Sequence, residues 1–281
     1  MARMNRLLFV VNTGKDGATT LAEELTRMAR QDGCLARTVT HFPLEEEALE
    51  GVDLCVVVGG DGTLLGVVEA ASRWGVPVLG VNLGRLGFMA SFNPDDIRRQ
   101  FHRCLLGDFS YRRLSVLACR SPDGTEVHAL NDIVIKARTS HLIRLSVHCE
   151  DEHINTYHAD GIIFATPTGS TAYTLSAGGP IVHPSARVMV VTPINPHTLT
   201  NRAIVLDDSH ILKIDLLGER REVQIAADGR EIFGQVPDFP IQVRFQPERT
   251  FKLVQPKDYS HYFVLRNKLR WTGDAVFSGT P

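Results

Sequence analysis

The sequence predicts an α/β N-terminal domain with a parallel sheet, then an all-β sandwich-like domain, then a C-terminal helix that returns to the first domain. Two observations carry this reading. In the first third of the chain, continuous apolar runs alternate with helical segments, as expected of parallel strands buried on both faces. After about Tyr111 helical periodicity nearly vanishes, and short β-branched segments recur between turn residues.

Residues 6–12 hold Leu7, Leu8, Phe9, Val10 and Val11 and read as a strand; Thr13-Gly14-Lys15-Asp16-Gly17 follows as a loop, and residues 18–30 as a helix. Further strands are expected at 35–40, 54–58 and 76–81. A helix is expected over 63–74 and another over 94–106, the latter introduced by Asn93 as N-cap. The β region shows strand patterns at 114–120, 132–136, 143–150, 162–166, 187–191, 211–216, 222–226 and 241–245. Residues 258–271 are again helical, with Tyr262, Leu265 and Leu269 sharing a face. The expected domains are therefore 1–112, with 256–281 packing back on it, and 113–255, with a cleft between them.

Composition narrows the function classes. The chain has 281 residues, 43% of them hydrophobic and 22% charged, which suits a folded protein rather than a disordered one. A formal net charge of -2 without any long Lys/Arg run argues against a nucleic-acid partner. Its five cysteines are scattered and never spaced Cys-x-x-Cys, which fits a reducing compartment rather than a disulfide frame or zinc knuckle. No apolar run is long enough to span a bilayer, and the start of the chain is too short in apolar residues for a signal peptide. A cytoplasmic protein with no membrane partner is expected.

Gly59-Gly60-Asp61-Gly62-Thr63 lies at the carboxyl end of a predicted buried strand and opens a helix, where open α/β sheets bind ligands. Glycines there allow the backbone close to a phosphate, and a helix start offers unpaired N–H groups to an anion. An aspartate in that place is repelled by phosphate unless it binds magnesium or takes a proton from an attacking hydroxyl, so Asp61 points to phosphoryl transfer. The alternative is a glycine turn with Asp61 as an N-cap. No lysine follows as a P-loop requires, and Gly60, Gly62 and Gly66 lack the Gly-x-Gly-x-x-Gly spacing.

A second stretch runs from Asp160-Gly161 through Thr166-Pro167-Thr168-Gly169-Ser170-Thr171-Ala172-Tyr173 to Ser176 and Gly178-Gly179-Pro180. Lysine and arginine are absent from residues 159–186, so this surface suits ribose hydroxyls, an amide or a purine face, with Tyr173 able to stack or donate a hydrogen bond. A hydroxyl-rich sandwich loop is the plainer reading of the turn alone.

Together, Gly59–Thr63, Leu86-Gly87-Phe88, Asn131-Asp132, the Asp160 to Tyr173 block, Asp228-Gly229 and Pro256-Lys257-Asp258-Tyr259 resemble the bacterial-type NAD kinases over most of the chain. The resemblance implies transfer of the terminal phosphoryl group of ATP, with magnesium, to the 2'-hydroxyl of the adenosine ribose of NAD. It implies Asp61 as the base, and Gly62 and Phe88 lining the nucleotide site. Asn131 and Asp132 would hold the ribose and neighbouring phosphate, Asp160 the nicotinamide-side amide, and Thr168, Thr171, Ala172, Tyr173 and Ser176 the adenine end. No protein-held metal site is implied; polyphosphate is a donor for some members, and a homodimer or homotetramer through the β domain is usual.

Two positions depart from the family pattern. His158 stands where many members place arginine, which implies a relaxed choice between NAD and NADH. Asp132 is one methylene shorter than the family's glutamate. His148 and His153 flank a predicted turn as surface residues, and Lys15 and Arg202 stay open between phosphate contacts and ordinary surface roles. Lipid or sugar kinases share the glycine-aspartate loop but have no use for the long Thr/Ser/Tyr block; a non-catalytic sensor of NAD would be expected to lack Asp61.

Overall fold

The computed structural model describes residues 3–84, 87–218, 223–234 and 237–271. The chain forms two compact units, Met1–Arg113 with Phe251–Pro281, and Leu114–Thr250.

The first unit opens with β1 (Arg6–Val11), α1 (Ala18–Gln31), β2 (Leu35–Val39) and β3 (Leu54–Gly59). Then come α2 (Asp61–Leu65), α3 (Val68–Trp74), β4 (Val78–Asn82) and α4 (Pro94–Leu105). Its strands pair in parallel in the order β2-β1-β3-β4. β3 is buried at every position, which accounts for its unbroken apolar run. Leu7, Phe9 and Val11 pack with Leu21, Ala22 and Leu25 of α1 and with Ile97 and Phe101 of α4. Asn93 caps α4 as expected, its Oδ1 accepting from the Asp96 N–H at 2.8 Å.

The helix expected over 63–74 is two helices. The Gly66 carbonyl accepts the Leu44 N–H at 2.8 Å, and Gly66 and Val67 donate to Thr63 and Leu64 in tight i→i+3 bonds. A tertiary contact thus takes the acceptor that a continuous α-helix would use.

The chain leaves this unit within β5 (Ser110–Arg120). β6 (Glu126–Ala129), β7 (Asp132–Ala137), β8 (Ile143–Cys149), β9 (Glu152–Ala159) and β10 (Gly161–Ala165) follow. After them come α5 (Tyr173–Ser176), β11 (Val188–Ile194), β12 (Ile204–Asp207), β13 (Leu212–Leu217), β14 (Val223–Ala227) and β15 (Arg230–Ile232). β16 (Ile241–Gln255) returns the chain to the first unit, where α6 (His261–Leu269) ends the described fold.

In the second unit an antiparallel sheet in the order β12-β11-β10-β7-β14-β15 faces the strands β16-β13-β8-β9 with β5 and β6. Ile133, Ile135, Phe164, Met189 and Ile225 from the first layer meet Leu145, Tyr157, Leu212, Ile214 and Val243 from the second in one core. It is a sandwich, as expected. β6, β9, β12 and β15 go beyond the predicted strands, and β16 continues ten residues past the predicted end at Phe245. Glu222, where one strand was expected to begin, lies outside the described residues.

α6 buries Val264 and Leu265 and half-buries Leu269, whereas Tyr262 is exposed, so Leu265 and Leu269 of the predicted face pack and Tyr262 does not. Among the described residues, no helix is long and apolar enough to cross a membrane.

Candidate active site

Three adjacent parallel strands of the first unit finish side by side: Asn12 directly follows β1 and donates its N–H to the Val58 carbonyl at 2.9 Å, and Gly59, the last residue of β3, pairs with Asn82, the last of β4. The Asn12 Oδ1 accepts from the Gly14 N–H at 3.0 Å, and the Asn82 Oδ1 accepts from the Gly84 N–H at 2.9 Å, so each asparagine turns the chain sharply away from its strand. Asn12 Nδ2 also donates to the Thr63 hydroxyl at 3.1 Å, tying the first turn to the glycine-aspartate loop. Sequence reasoning did not find Asn12, because its partner is remote in the chain.

Asp61 is the first residue of α2, but its side chain does not cap that helix. It reaches to the segment after β4. Its Oδ2 accepts from the Phe88 N–H at 2.9 Å, and its Oδ1 from the N–H groups of Met89 at 3.2 Å and Ala90 at 2.9 Å. That segment is itself fixed, because Phe92 exchanges backbone hydrogen bonds with Gly80 and Asn82 of β4. A side chain at Gly87 would run into the Asp61 carboxylate, its Cβ 2.9 Å from Cγ and nearer still to Oδ1. Glycine is needed there for space. A carboxylate has about four acceptor directions, so three amides fix its orientation and leave roughly one for a further donor.

Gly62 is exposed at the start of the helix, and Phe88 is half-buried with the Lys268 ammonium over its ring, 5.7 Å from the centroid. Leu86 lies outside the described residues. Lys15 is exposed in the loop after β1, next to Gly14.

The second unit repeats the arrangement. Asp228, at φ 48°, accepts three consecutive amides, with Oδ2 taking Leu130 at 2.8 Å and Oδ1 taking Asn131 at 2.7 Å and Asp132 at 3.2 Å. Opposite it, Thr166 donates its hydroxyl to the Leu130 carbonyl at 2.6 Å and its N–H to the Asn131 carbonyl at 2.9 Å. A side chain at Gly169 would overlap the Asn131 backbone, so this turn too is closed against a glycine.

Asp132 is 5% exposed, and its carboxyl accepts the Tyr173 N–H at the start of α5. Burial, with Asp228 beside it, pushes this carboxyl up to about 7 against the pull of that amide. Asn131, Asp132, Thr168, Thr171, Ala172 and Tyr173 are thereby drawn into one neighbourhood. Tyr173 stays 40% exposed, and Ser176 is exposed at the end of α5.

Asp160 directly precedes β10, at the end opposite Thr166, and His158 lies two residues earlier on β9. At a strand rise of about 3.3 Å per residue Asp160 stands roughly 20 Å from the Thr166 end. The Asp160 Oδ2 accepts from Asn195 Nδ2 at 2.9 Å, and Asn195 is held at φ 45°. His158 is exposed, its ring 5.6 Å from that of His197, and its carbonyl accepts the His197 N–H. His148 and His153 face each other across the β8–β9 hairpin with ring centroids 5.0 Å apart. Arg202 donates to the carbonyls of Leu199 and Asn201. Among the described residues no group of three or more His, Cys, Asp or Glu side chains could hold a metal ion.

A cavity of about 630 Å³ lies along α1, lined by Val11, Thr19, Ala22, Thr26, Thr38 and Thr40 among others; none of the candidate catalytic or substrate-binding residues lines it.

Comparison with known proteins gives consistent matches. The ATP-NAD kinase N-terminal domain profile matches residues 36–109, and the ATP-NAD kinase C-terminal domain profile residues 130–255. The chain is 37% identical over 285 residues to an NAD kinase of Symbiobacterium thermophilum, covering 96% of this chain and all of the relative. It is 40% identical over 227 residues to an NAD kinase of Geotalea daltonii, covering 79% of this chain and 80% of that one. Among solved structures, yeast NADH kinase complexed with NADH is similar with a TM-score of 0.81 and 25% identity, covering the whole chain and 91% of that protein. An NAD kinase from Archaeoglobus fulgidus in complex with ATP has a TM-score of 0.77 and 27% identity, covering 95% of this chain and all of that one.

Proposed function

The chain belongs to the ATP-NAD kinase family, and from that premise we propose how its own residues divide the reaction. It is an NAD kinase, a phosphotransferase with an alcohol group as acceptor, and it makes NADP from NAD with ATP as the phosphoryl donor. The 2'-oxygen of the adenosine ribose forms a bond to the γ-phosphorus of ATP, the bond from that phosphorus to the β–γ bridging oxygen breaks, and ADP departs. The hydroxyl proton goes to the Asp61 carboxylate.

The observation that supports this role is the amide ring on Asp61 at the carboxyl edge of the parallel sheet. It holds a negative oxygen in one orientation with about one acceptor direction left for a hydroxyl. Because phosphoryl transfer runs through a loose transition state, orientation and charge neutralisation contribute more than the proton transfer alone. Gly62 and Phe88 line the nucleotide site beside Asp61. Magnesium is assigned to the donor as MgATP, since it binds readily through substrate phosphates with few protein ligands.

For NAD, Asn131 is assigned to the ribose and adjacent phosphate. Asp132 acts through Tyr173, because its carboxyl is buried and accepts the Tyr173 N–H. Thr168, Thr171, Ala172, Tyr173 and Ser176 take the adenine end, and Asp160, with Asn195 and His158 near it, the nicotinamide end. The separation along β10 suits an extended dinucleotide. Residues 1–112 with 256–281 carry the phosphoryl-transfer chemistry, and 113–255 hold the coenzyme and assemble a homodimer or homotetramer. Five free thiols, four of them buried, support a cytoplasmic location.

The test is incubation of the purified protein with MgATP and NAD, followed by phosphorus NMR and a dehydrogenase that accepts only NADP. One 2'-phosphorylated NADP should form per ADP. ATP hydrolysis with no NADP, or phosphorylation of NAD elsewhere, would overturn the reading. Replacing ATP by polyphosphate in the same assay sets the donor range.

A further inference from the structure

We propose that Asp228 is a positioning residue for NAD: it sets the turn that presents Asn131 and, through Asp132, the Tyr173 helix start to the coenzyme. This rests on the assignment of Asn131 and Tyr173 to NAD made above.

The argument is geometric. Leu130 and Asn131 form the turn between β6 and β7, outside the strand ladder, and Asp132 opens β7, so the N–H groups of the turn need an acceptor other than a paired strand. One carboxylate, Asp228, meets all three at 2.7–3.2 Å, and its own N–H returns to the Asp132 carbonyl at 3.0 Å. Asp228 follows directly after β14, which pairs with β7 through Ala227 opposite Ile133. The clamp is therefore mounted on the neighbouring strand and not on a free loop. Asp228 and Gly229, at φ 48° and 78°, are the two-residue loop that joins Ala227 of β14 to Arg230 of β15, a hairpin turn that calls for positive φ at both positions and that Asp-Gly favours, so the turn itself fixes where the carboxylate starts.

From this clamp the constraint passes outward. With the Asp132 backbone fixed, its carboxyl meets the Tyr173 N–H, while Thr166 secures the carbonyl side of the same turn. The same device, one aspartate holding three consecutive amides, builds the Asp61 loop of the first unit. There the clamped segment presents Phe88, and here it presents Asn131.

An amide in place of the Asp228 carboxylate has one oxygen and one N–H₂ group, so in either orientation a donor faces a donor. Asp228→Asn should raise KM for NAD about tenfold, equivalent to ~1.4 kcal/mol, with KM for ATP unchanged within roughly twofold. A clamp that serves folding alone gives a different result: a lower melting temperature with wild-type KM for NAD in the folded protein. That result overturns the proposal.

Should Asp228→Asn not fold, Asp228→Glu keeps the charge but shifts it by one methylene. It should raise KM for NAD and leave KM for ATP alone; wild-type KM for NAD in the folded Glu variant also overturns the proposal. Asn131→Ala, assayed beside them, separates the two levels of the argument. If it leaves KM for NAD unchanged while the wild type makes NADP, the assignment of Asn131 is wrong and the inference falls with it.

Discussion

Substituting Gly87 by alanine tests the Asp61 geometry without removing the carboxylate. The new Cβ would lie 2.9 Å from the Asp61 Cγ and 3.0 Å from its Oδ2, and closer to Oδ1 than any ordinary contact. Relief requires the carboxylate or the Phe88–Ala90 segment to move by about 1 Å, which breaks or lengthens bonds to the charged acceptor that contribute ~1.5–3 kcal/mol each. A displacement of that size at a reacting group costs about 10² in rate. The expected variant therefore binds NAD nearly as well as the wild type and turns over about 100-fold more slowly. Loss of one such bond should also lower the melting temperature by several degrees, at about 2–4 °C per kcal/mol for a chain this long. Initial rates of NADP formation over a matrix of ATP and NAD concentrations, with a thermal melt on the same preparation, measure both effects. A Gly87→Ala protein with wild-type kcat would show that the amide ring does not govern the reactive orientation of Asp61.

Three further outcomes are expected. Asp132 titrates from 3.8 when unfolded to about 7 when folded, so its contribution favours the fold below about pH 4 and is lost as pH rises through 7. Asp132→Asn keeps the shape and the acceptor for Tyr173 but never ionises. Its gain in unfolding free energy over wild type should be larger at pH 8 than at pH 5, by a few kcal/mol at most, and an equal gain at both would contradict the origin given for the shift. With His158 in place of arginine, initial rates with NAD and NADH should be equal, and strict selectivity for NAD sinks that reading. Asn12→Ala removes the link to Thr63 and should lower stability by ~1 kcal/mol and reduce kcat less than Gly87→Ala does; a kcat loss exceeding that of Gly87→Ala would give Asn12 a direct role in the chemistry.

Much of the fold was legible because burial on both faces leaves a plain mark. β1, β3 and β4 read as apolar runs, and Asn93 announced α4 through local chemistry alone. What escaped was set by distant partners. The break at Gly66 depends on the Leu44 amide, and β9 carries exposed His153 and His158 beside half-buried Ile154, Asn155 and Thr156, so its alternation is faint. β16 runs past its predicted end because Pro247 and Glu248 are exposed mid-strand and look like loop residues.

The site divides in the same way. Asp61, Asn131 and the Thr168 to Tyr173 stretch stand out by glycine and hydroxyl content. Asn12 and Asn195 do not, because their function is a bond to a residue far along the chain. Asp228 was visible as a motif, but its clamp on a turn 96–98 residues earlier has no signal in spacing.

Single-turnover NADP formation by Asp61→Asn, with NAD bound in advance and MgATP mixed in, bears most directly on the central claim. The chemical step should slow by about 10² to 10⁴ while the dissociation constant for NAD stays within a few-fold of wild type. A chemical step near the wild-type rate, or a defect confined to NAD binding, would reduce Asp61 to a clamp like Asp228 and place the proton acceptor elsewhere.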